Sequence, residues 1–260
     1  MPASGRASGK LRVFFVTQDD PIYVACFFEV FFAEYPRDEL ELVGMTIGRA
    51  FRESRLAVAK RMLRFYGLRD FSRVAARLVG AGLRGRSISR LATRERVRIL
   101  ETASVNDAAY VGRVRELQPD LIVSVAAPEI FSEELLAAGR LGCLNIHSGR
   151  LPRYRGMMPT FWQMLAGERR ITVTVHEMVA RLDAGGILGT VEYPLREDDT
   201  LARVMSETKR EGARLMIDVL RRIRRGEARP EPLDMRDASY FSFPSREKVA
   251  EFRARGLRLL

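Results

Sequence analysis

The chain has few cysteines and no long hydrophobic run. Cys26 and Cys143 are the two cysteines among 260 residues, and their apolar surroundings indicate reduced, buried thiols rather than a disulfide framework or a zinc site. No apolar run is long enough to cross a bilayer, and residues 1–10 lack the apolar core of a secretory signal. We therefore expect a cytoplasmic protein without integral membrane association, and the length suits one large domain.

Three common catalytic motifs are also missing. Gly5 and Gly9 are separated by three residues and precede the first predicted strand, so they do not form a phosphate-binding P-loop. That strand is not followed by Gly-x-Gly-x-x-Gly, which argues against a dinucleotide-dependent oxidoreductase. The chain also lacks the Gly-x-Ser-x-Gly motif of serine hydrolases.

Predicted strands and helices alternate along the chain. The apolar pattern predicts strands over residues 11–17, 41–47, 97–102, 121–126, 141–147, 171–178 and 191–195, and helices over 25–34, 107–117, 129–139 and 200–223. The strand over 121–126 is nearly continuously apolar, as expected for a parallel strand that is covered on both faces. This order predicts an α/β fold with a doubly wound, mostly parallel sheet and a short C-terminal appendage.

Positive charge is concentrated in one part of the chain. The formal net charge is +11, and residues 49–98, the basic segment, hold 15 Lys or Arg against three acidic residues. Its run from Ser54 to Tyr66 predicts a helix whose apolar face covers the sheet while the arginines are solvated. The apolar residues at helical spacing are Leu56, Ala59, Met62, Leu63 and Tyr66. The alternatives are that this helix binds an anionic membrane surface, RNA or a phosphorylated acceptor.

Two polar residues stand at the end of a predicted strand. Side chains two residues apart share one face of a strand, so Asn145 and His147 lie side by side before Ser148 and Gly149 end the strand. The carboxyl ends of strands in an open α/β sheet border the ligand-binding crevice. Asp183, in a turn of Asp and Gly, is suited to join them. Such groups suit acyl transfer to an amine, because Asn145 and His147 supply N–H donors to an oxyanion and Asp183 orients the imidazole.

An Asn-x-His pair with a later Asp resembles the shared site of the folate-dependent formyltransferases, which include glycinamide ribonucleotide, methionyl-tRNA and sugar N-formyltransferases. The loop from Leu151 to Gly156 resembles the loop that follows this pair in many members, and the similarity extends from about Leu117 to Ile187. Pro159, Phe161 and Trp162 add to it. The chain departs from many relatives at Gly186, where they carry a second acid, and at Ile171, where they carry Gly.

The resemblance implies a Rossmann-like formyltransferase fold, 10-formyltetrahydrofolate as co-substrate and no metal. It assigns the formyl oxygen to Asn145 and both oxyanion stabilisation and proton relay to His147. Asp183 would orient His147 and manage the proton of the amine. The pterin pocket implied by the resemblance is lined by Val125, Ala126, Ala127, Pro128, Ile130, Leu182, Ala184 and Gly185.

The loop after the Asn-x-His pair offers candidate substrate-binding residues. Arg153 and Arg155, beside Gly156, either bind an anionic acceptor or the folate tail, or are ordinary exposed arginines. His176 shares a strand face with Thr172 and Thr174, and we interpret it mainly as a structural residue.

The predicted domains are a flexible N-terminus over residues 1–10, a formyltransferase catalytic domain over 11–226 that contains the basic segment, and a C-terminal tail over 227–260. The aromatic run at Tyr240–Pro244 in this tail suits either a subunit contact or a lid over the site. The sequence leaves the oligomeric state open, including a homodimer.

The formyl acceptor is the least determined part of this interpretation. We favour a small amine, such as an amino sugar nucleotide or an amino acid derivative. Residues 229–260 are too few for the separate RNA-contacting domain of methionyl-tRNA formyltransferases, but the basic segment keeps tRNA as an alternative. A formyltetrahydrofolate hydrolase is a third interpretation. A protein without catalytic activity that binds RNA or a membrane through the basic segment is a fourth.

Overall fold

The computed structural model describes residues 9–48 and 54–260. Most of the N-terminus predicted to be flexible, and the first five residues of the basic segment, lie outside the described residues. The strands are β1 (Leu11–Gln18), β2 (Leu40–Gly48), β3 (Leu121–Val125), β4 (Cys143–His147), β5 (Arg155–Gly156), β6 (Arg170–Glu177), β7 (Ile187–Pro194) and β8 (Tyr240–Phe241). The helices are α1 (Val24–Glu34), α2 (Arg55–Leu83), α3 (Ile88–Arg94), α4 (Ala108–Glu116), α5 (Glu133–Leu136), α6 (Pro159–Leu165), α7 (Leu201–Arg224) and α8 (Arg246–Ala254).

Six of these strands form the central sheet, in the order β2-β1-β3-β4-β6-β7. The pairs β1–β2, β1–β3 and β3–β4 are parallel, and β6 joins β4 and β7 in antiparallel pairs. The alternating side chains of β1 show why helices cover both faces. Val13 and Phe15 pack with α1, α3 and α7 on one face, whereas Phe14 and Val16 pack with α4 and α5 on the other. The predicted doubly wound, mostly parallel α/β sheet is therefore confirmed.

Helix α2 does not cover this sheet, contrary to the expectation for residues 54–66. Its buried side chains Phe65 and Tyr66 pack with Phe161 of α6 and Phe252 of α8 in a separate apolar cluster. Leu56 and Leu63, assigned to the covered face, are 65% and 40% exposed. The helical spacing was predicted correctly, but the face that packs is set by α6 and α8, which are distant in sequence and which periodicity does not reveal.

Two other predicted elements are shorter than expected. The strand predicted over 97–102 reduces to one bridge between Met45 and Ile99, because that stretch bonds to β2 only around Met45. The helix predicted over 129–139 reduces to α5, because the carboxylate of Glu129 accepts hydrogen bonds from Ser104 and from the backbone N–H of Val105. Ser132 then caps the short helix.

The last residues of the chain pack back onto the main body. Strand β8 pairs with β5, and Phe252 and Leu259 are buried in the cluster with Phe161. A division at residue 226 remains a prediction. In the part of the chain that the structure describes, no helix is both long enough and apolar enough to span a bilayer.

Candidate active site

A cavity of about 510 Å³, the first cavity, opens at the carboxyl ends of β1, β3 and β4. Its walls come from the turn after β1, residues 126–131 after β3, the end of β4, residues 156–160 and helix α7. Tyr240 and Phe243 of the C-terminal segment also line it. This is the position where open α/β sheets bind ligands. Asn145, His147, His176 and Asp183, hereafter the polar cluster, all line this cavity.

His147 ends β4 and is 6% exposed. Its Nε2 lies 2.8 Å from the carbonyl oxygen of Tyr154. A carbonyl can only accept, so Nε2 carries the proton and a neutral ring keeps a lone pair on Nδ1. Nδ1 lies 3.9 Å from Oδ2 of Asp183. Burial lowers the pKa of His147, although the Asp183 charge opposes this effect, so the ring is neutral at pH 7.

Asp183 and its turn are held in place by contacts from the two residues of β5. Its Oδ2 accepts a hydrogen bond of 3.0 Å from the N–H of Gly156, and the side chain of Arg155 donates through Nε to the carbonyl of Leu182 at 3.1 Å. Gly156 has φ of 94°, and a Cβ there would lie 2.3 Å from the carbonyl oxygen of Phe241. Only glycine therefore fits between the Asp183 turn and β8.

His176 fixes the orientation of the Asn145 amide. The register of β4 and β6 places these residues opposite each other. His176 Nδ1 donates to the carbonyl of Glu177 at 2.7 Å, so Nε2 accepts from Asn145 Nδ2 at 3.1 Å. Burial and then the neighbouring His147 lower the pKa of His176 to about 4, which keeps it neutral. Asn145 therefore retains one amide N–H for a ligand.

His176 is a site residue that the sequence interpretation underrated. Its Nε2 lies 3.7 Å from Oδ1 of Asp183, and the residue is 1% exposed. The alternation of Thr172, Thr174 and His176 is visible in the sequence, but the antiparallel register that brings His176 to Asn145 is not.

The residues expected to line a pterin pocket separate into two groups. Five line the first cavity, and these are Ala126, Ala127, Pro128, Ile130 and Leu182. Val125, Ala184 and Gly185 do not line it. Val125 is fully buried in the core, and Gly185 faces the backbone of Glu177, where a Cβ would lie 2.0 Å from the carbonyl oxygen. The alternation of side chains along β3 explains the inward position of Val125.

The two loop arginines do not line this cavity. Arg153 is exposed and pairs with Asp237 at 3.4 Å. Arg155 is buried and supports the Leu182 carbonyl, so it positions the Asp183 turn. Gly156, the third predicted substrate-binding residue, does line the cavity.

The sequence interpretation missed two charged residues in the cavity wall, Asp20 and Lys209. Burial lowers the pKa of Lys209, and the Asp20 charge opposes that shift. Lys209 follows Met205 by one helical turn on α7, where Val204, Thr208 and Gly212 are buried. A lysine next to the buried face of an amphipathic helix was the available signal.

Among residues 9–48 and 54–260, no group of three or more His, Cys, Asp or Glu side chains is arranged to hold a metal ion.

Comparison with known proteins places this fold and site in a family. Residues 80–220 match the sequence model of the family described as formyl transferase. This range is more than half of the chain and contains Asn145, His147 and Asp183, so the chain belongs to the formyl transferase family. The family resemblance drawn from the sequence is thereby confirmed.

Individual proteins are similar to this chain in sequence or in fold. The chain is 33% identical over 157 residues to the methionyl-tRNA formyltransferase of Bacillus licheniformis. These 157 residues are 60% of this chain and 50% of that protein. The chain thus spans about half the length of this curated relative. An N-formyltransferase from Helicobacter canadensis, solved with folinic acid and dTDP-3-aminofucose, has a TM-score of 0.58 at 15% identity, covering 94% of this chain and 80% of that one. Glycinamide ribonucleotide transformylase 1 from Symbiobacterium toebii has a TM-score of 0.60 at 16% identity, covering 87% and 95%. These two structures share the fold.

Proposed function

We propose that this protein transfers a formyl group from 10-formyltetrahydrofolate to an amine. The observation that carries the proposal is the convergence of Asn145, His147 and Asp183 on one cavity at the carboxyl ends of the strands. Membership of the formyl transferase family supports it, as does the folinic acid bound by the Helicobacter canadensis neighbour. The pterin would contact Ala126, Pro128 and Leu182, and no step requires a metal.

In the first step the amine nitrogen attacks the formyl carbon and the carbonyl oxygen gains negative charge. The Asn145 N–H that is not bound to His176 donates to this oxygen. Because the amide is already oriented, it needs no reorganisation as the charge develops. One such donor is typically worth about 100 to 1,000 fold in rate.

His147 moves the proton. Its unprotonated Nδ1 accepts the proton of the attacking amine, directly or through one water, while Nε2 stays bound to Tyr154. The resulting imidazolium is stabilised by Asp183 and can donate from Nδ1 toward the oxyanion. The bond between the formyl carbon and N10 of the folate then breaks, and the proton passes to N10. The products are a formamide and tetrahydrofolate.

For the acceptor we propose a small amine such as an amino sugar nucleotide or an amino acid derivative. The dTDP-3-aminofucose bound by the Helicobacter canadensis neighbour supports the first of these. The identity to a methionyl-tRNA formyltransferase supports tRNA as the second candidate.

Calorimetric titration with 5-formyltetrahydrofolate, a stable analogue of the donor, tests the folate site. We expect saturable binding at moderate and at high salt, and absence of heat at both would refute the donor assignment. Formyl transfer to a panel of amines, followed by release of tetrahydrofolate, then tests the reaction. Asp183→Asn should abolish most of this release, while the matched change Asp237→Asn, at an exposed aspartate paired with Arg153, should not.

A further inference from the structure

A second cavity of about 390 Å³ lies between α2 and the start of α8. Its lining residues are Arg61, Arg64, Phe65, Phe243, Pro244, Ser245, Arg246 and Glu247. It holds no member of the polar cluster. The mechanism proposed above therefore uses none of its charged groups.

Positive charge dominates the lining of this second cavity. Arg61, Arg64 and Arg246 line it together with one acidic residue, Glu247. The guanidinium carbon of Arg61 lies 5.4 Å from the centre of the Phe243 ring, which holds that side chain against the cavity wall. The pKa of Glu247 is lowered mainly by a hydrogen bond from Ser245, and Arg246 contributes less. Arg64 is exposed and forms no ion pair with the residues that the structure describes.

One short segment forms a wall of both cavities. Tyr240 and Phe243 line the first cavity, and residues 243–247 line the second, so Phe243 is shared. This segment is fixed to the site, because β8 pairs with β5 and the indole N–H of Trp162 donates to the carbonyl of Ser242 at 3.2 Å. The arginines of the second cavity therefore lie next to Phe243, which is also a wall of the first cavity.

We propose that the second cavity binds a phosphate or diphosphate group of the formyl acceptor. Guanidinium groups present several N–H donors in a plane and are the preferred partners of phosphate oxygens. The volume suits one or two phosphates, which favours a small phosphorylated amine over a nucleic acid. The assignment of this phosphate to the acceptor rests on the proposed function, whereas phosphate binding itself does not.

The test is calorimetric titration with inorganic pyrophosphate. The wild-type protein should bind one equivalent, and Arg64→Gln/Arg246→Gln should weaken the affinity by about tenfold or more. The matched control is Arg69→Gln/Arg94→Gln, which removes two exposed arginines of the basic segment that line neither cavity. The affinity of this control variant for pyrophosphate should stay within about twofold of the wild-type value. No binding by the wild type, or an equal loss in both double variants, would overturn the proposal.

Two further titrations separate this proposal from the proposed function and identify the ligand class. Binding of 5-formyltetrahydrofolate should be unchanged in both double variants, and its absence in the wild type would remove the proposed function without affecting the pyrophosphate result. Uridine diphosphate should displace pyrophosphate with a shallow salt dependence, since few phosphates are engaged. An RNA hairpin that displaces pyrophosphate where uridine diphosphate fails would overturn the assignment to a small acceptor.

Discussion

The polar cluster and helix α2 place their side chains in opposite environments. His147, His176 and Asp183 are at most 7% exposed, whereas Leu68 and Leu83 of α2 are 79% and 85% exposed. In the cluster, polar groups are buried because each has a defined partner in the backbone or in a neighbouring side chain. On α2, apolar groups are left in water between arginines. We therefore expect function to depend on individual atoms in the polar cluster. Along most of α2, we expect it to depend on the total charge.

The largest effect that this comparison predicts is that of His147→Ala. Loss of the proton-relaying Nδ1 should reduce kcat by about 1,000 to 10,000 fold, because proton transfer and oxyanion stabilisation are lost together. His176→Ala should reduce kcat less, by about 10 to 100 fold, since it orients Asn145 without touching the reacting atoms. Single-turnover formyl transfer measures both. Equal rates for His147→Ala and the wild type would rule out the proposed mechanism.

A glycine that supports the cluster gives the next largest effect. Gly156→Ala places a Cβ against the Phe241 carbonyl and removes a favourable backbone conformation, so we expect a loss of about 2 to 4 kcal/mol in the free energy of unfolding. It should also lower kcat, because the Gly156 N–H positions Asp183. Gly167→Ala is the matched control, since Gly167 also has positive φ, of 80°, but a Cβ there meets nothing within 4 Å. The control should cost about 1 kcal/mol. Urea unfolding compares them, and equal costs would mean that the approach to β8 is unimportant.

Acidification gives a smaller effect that is specific to the cluster. His147 and His176 are the two histidines of the chain, and burial lowers the pKa of both. The unfolded chain therefore takes up protons that the folded chain excludes, so stability falls as the pH drops from about 6.5. For His176 this loss continues to about pH 4. The rate of formyl transfer should fall only at lower pH, because Nδ1 of the folded protein is protonated only when the pH reaches the lowered pKa of His147.

The variant His147→Gln/His176→Gln separates the histidines from the carboxylates, which also titrate below about pH 5. Between pH 7 and pH 5 the wild type should lose more stability than this variant, as measured by the midpoint of urea unfolding. If both proteins lost the same amount of stability, the conclusion that the two buried rings are neutral in the folded protein would be wrong.

The same contrast explains how far the sequence predicts this structure. Asn145 and His147 were predictable because the two-residue alternation of side chains along a strand and the turn that follows are local signals. The strand Leu121–Val125 was predictable because a fully buried strand is apolar throughout. His176, Lys209 and Asp20 were not assigned to the site, because each reaches the cavity through the pairing or packing of elements distant in sequence. The predicted packing of α2 was wrong for the same reason, because its contacts with α6 and α8 join elements distant in sequence.

The exposed face of α2 provides the smallest predicted effect. Leu68→Gln and Leu83→Gln should each change the free energy of unfolding by no more than about 0.5 kcal/mol, because both side chains are already in water. Urea unfolding at two protein concentrations measures this and also the oligomeric state. If a second chain covered this face, wild-type stability would rise with concentration and each substitution would reduce that rise. A concentration-dependent loss above about 1 kcal/mol would therefore contradict the solvated face and assign α2 to a subunit contact.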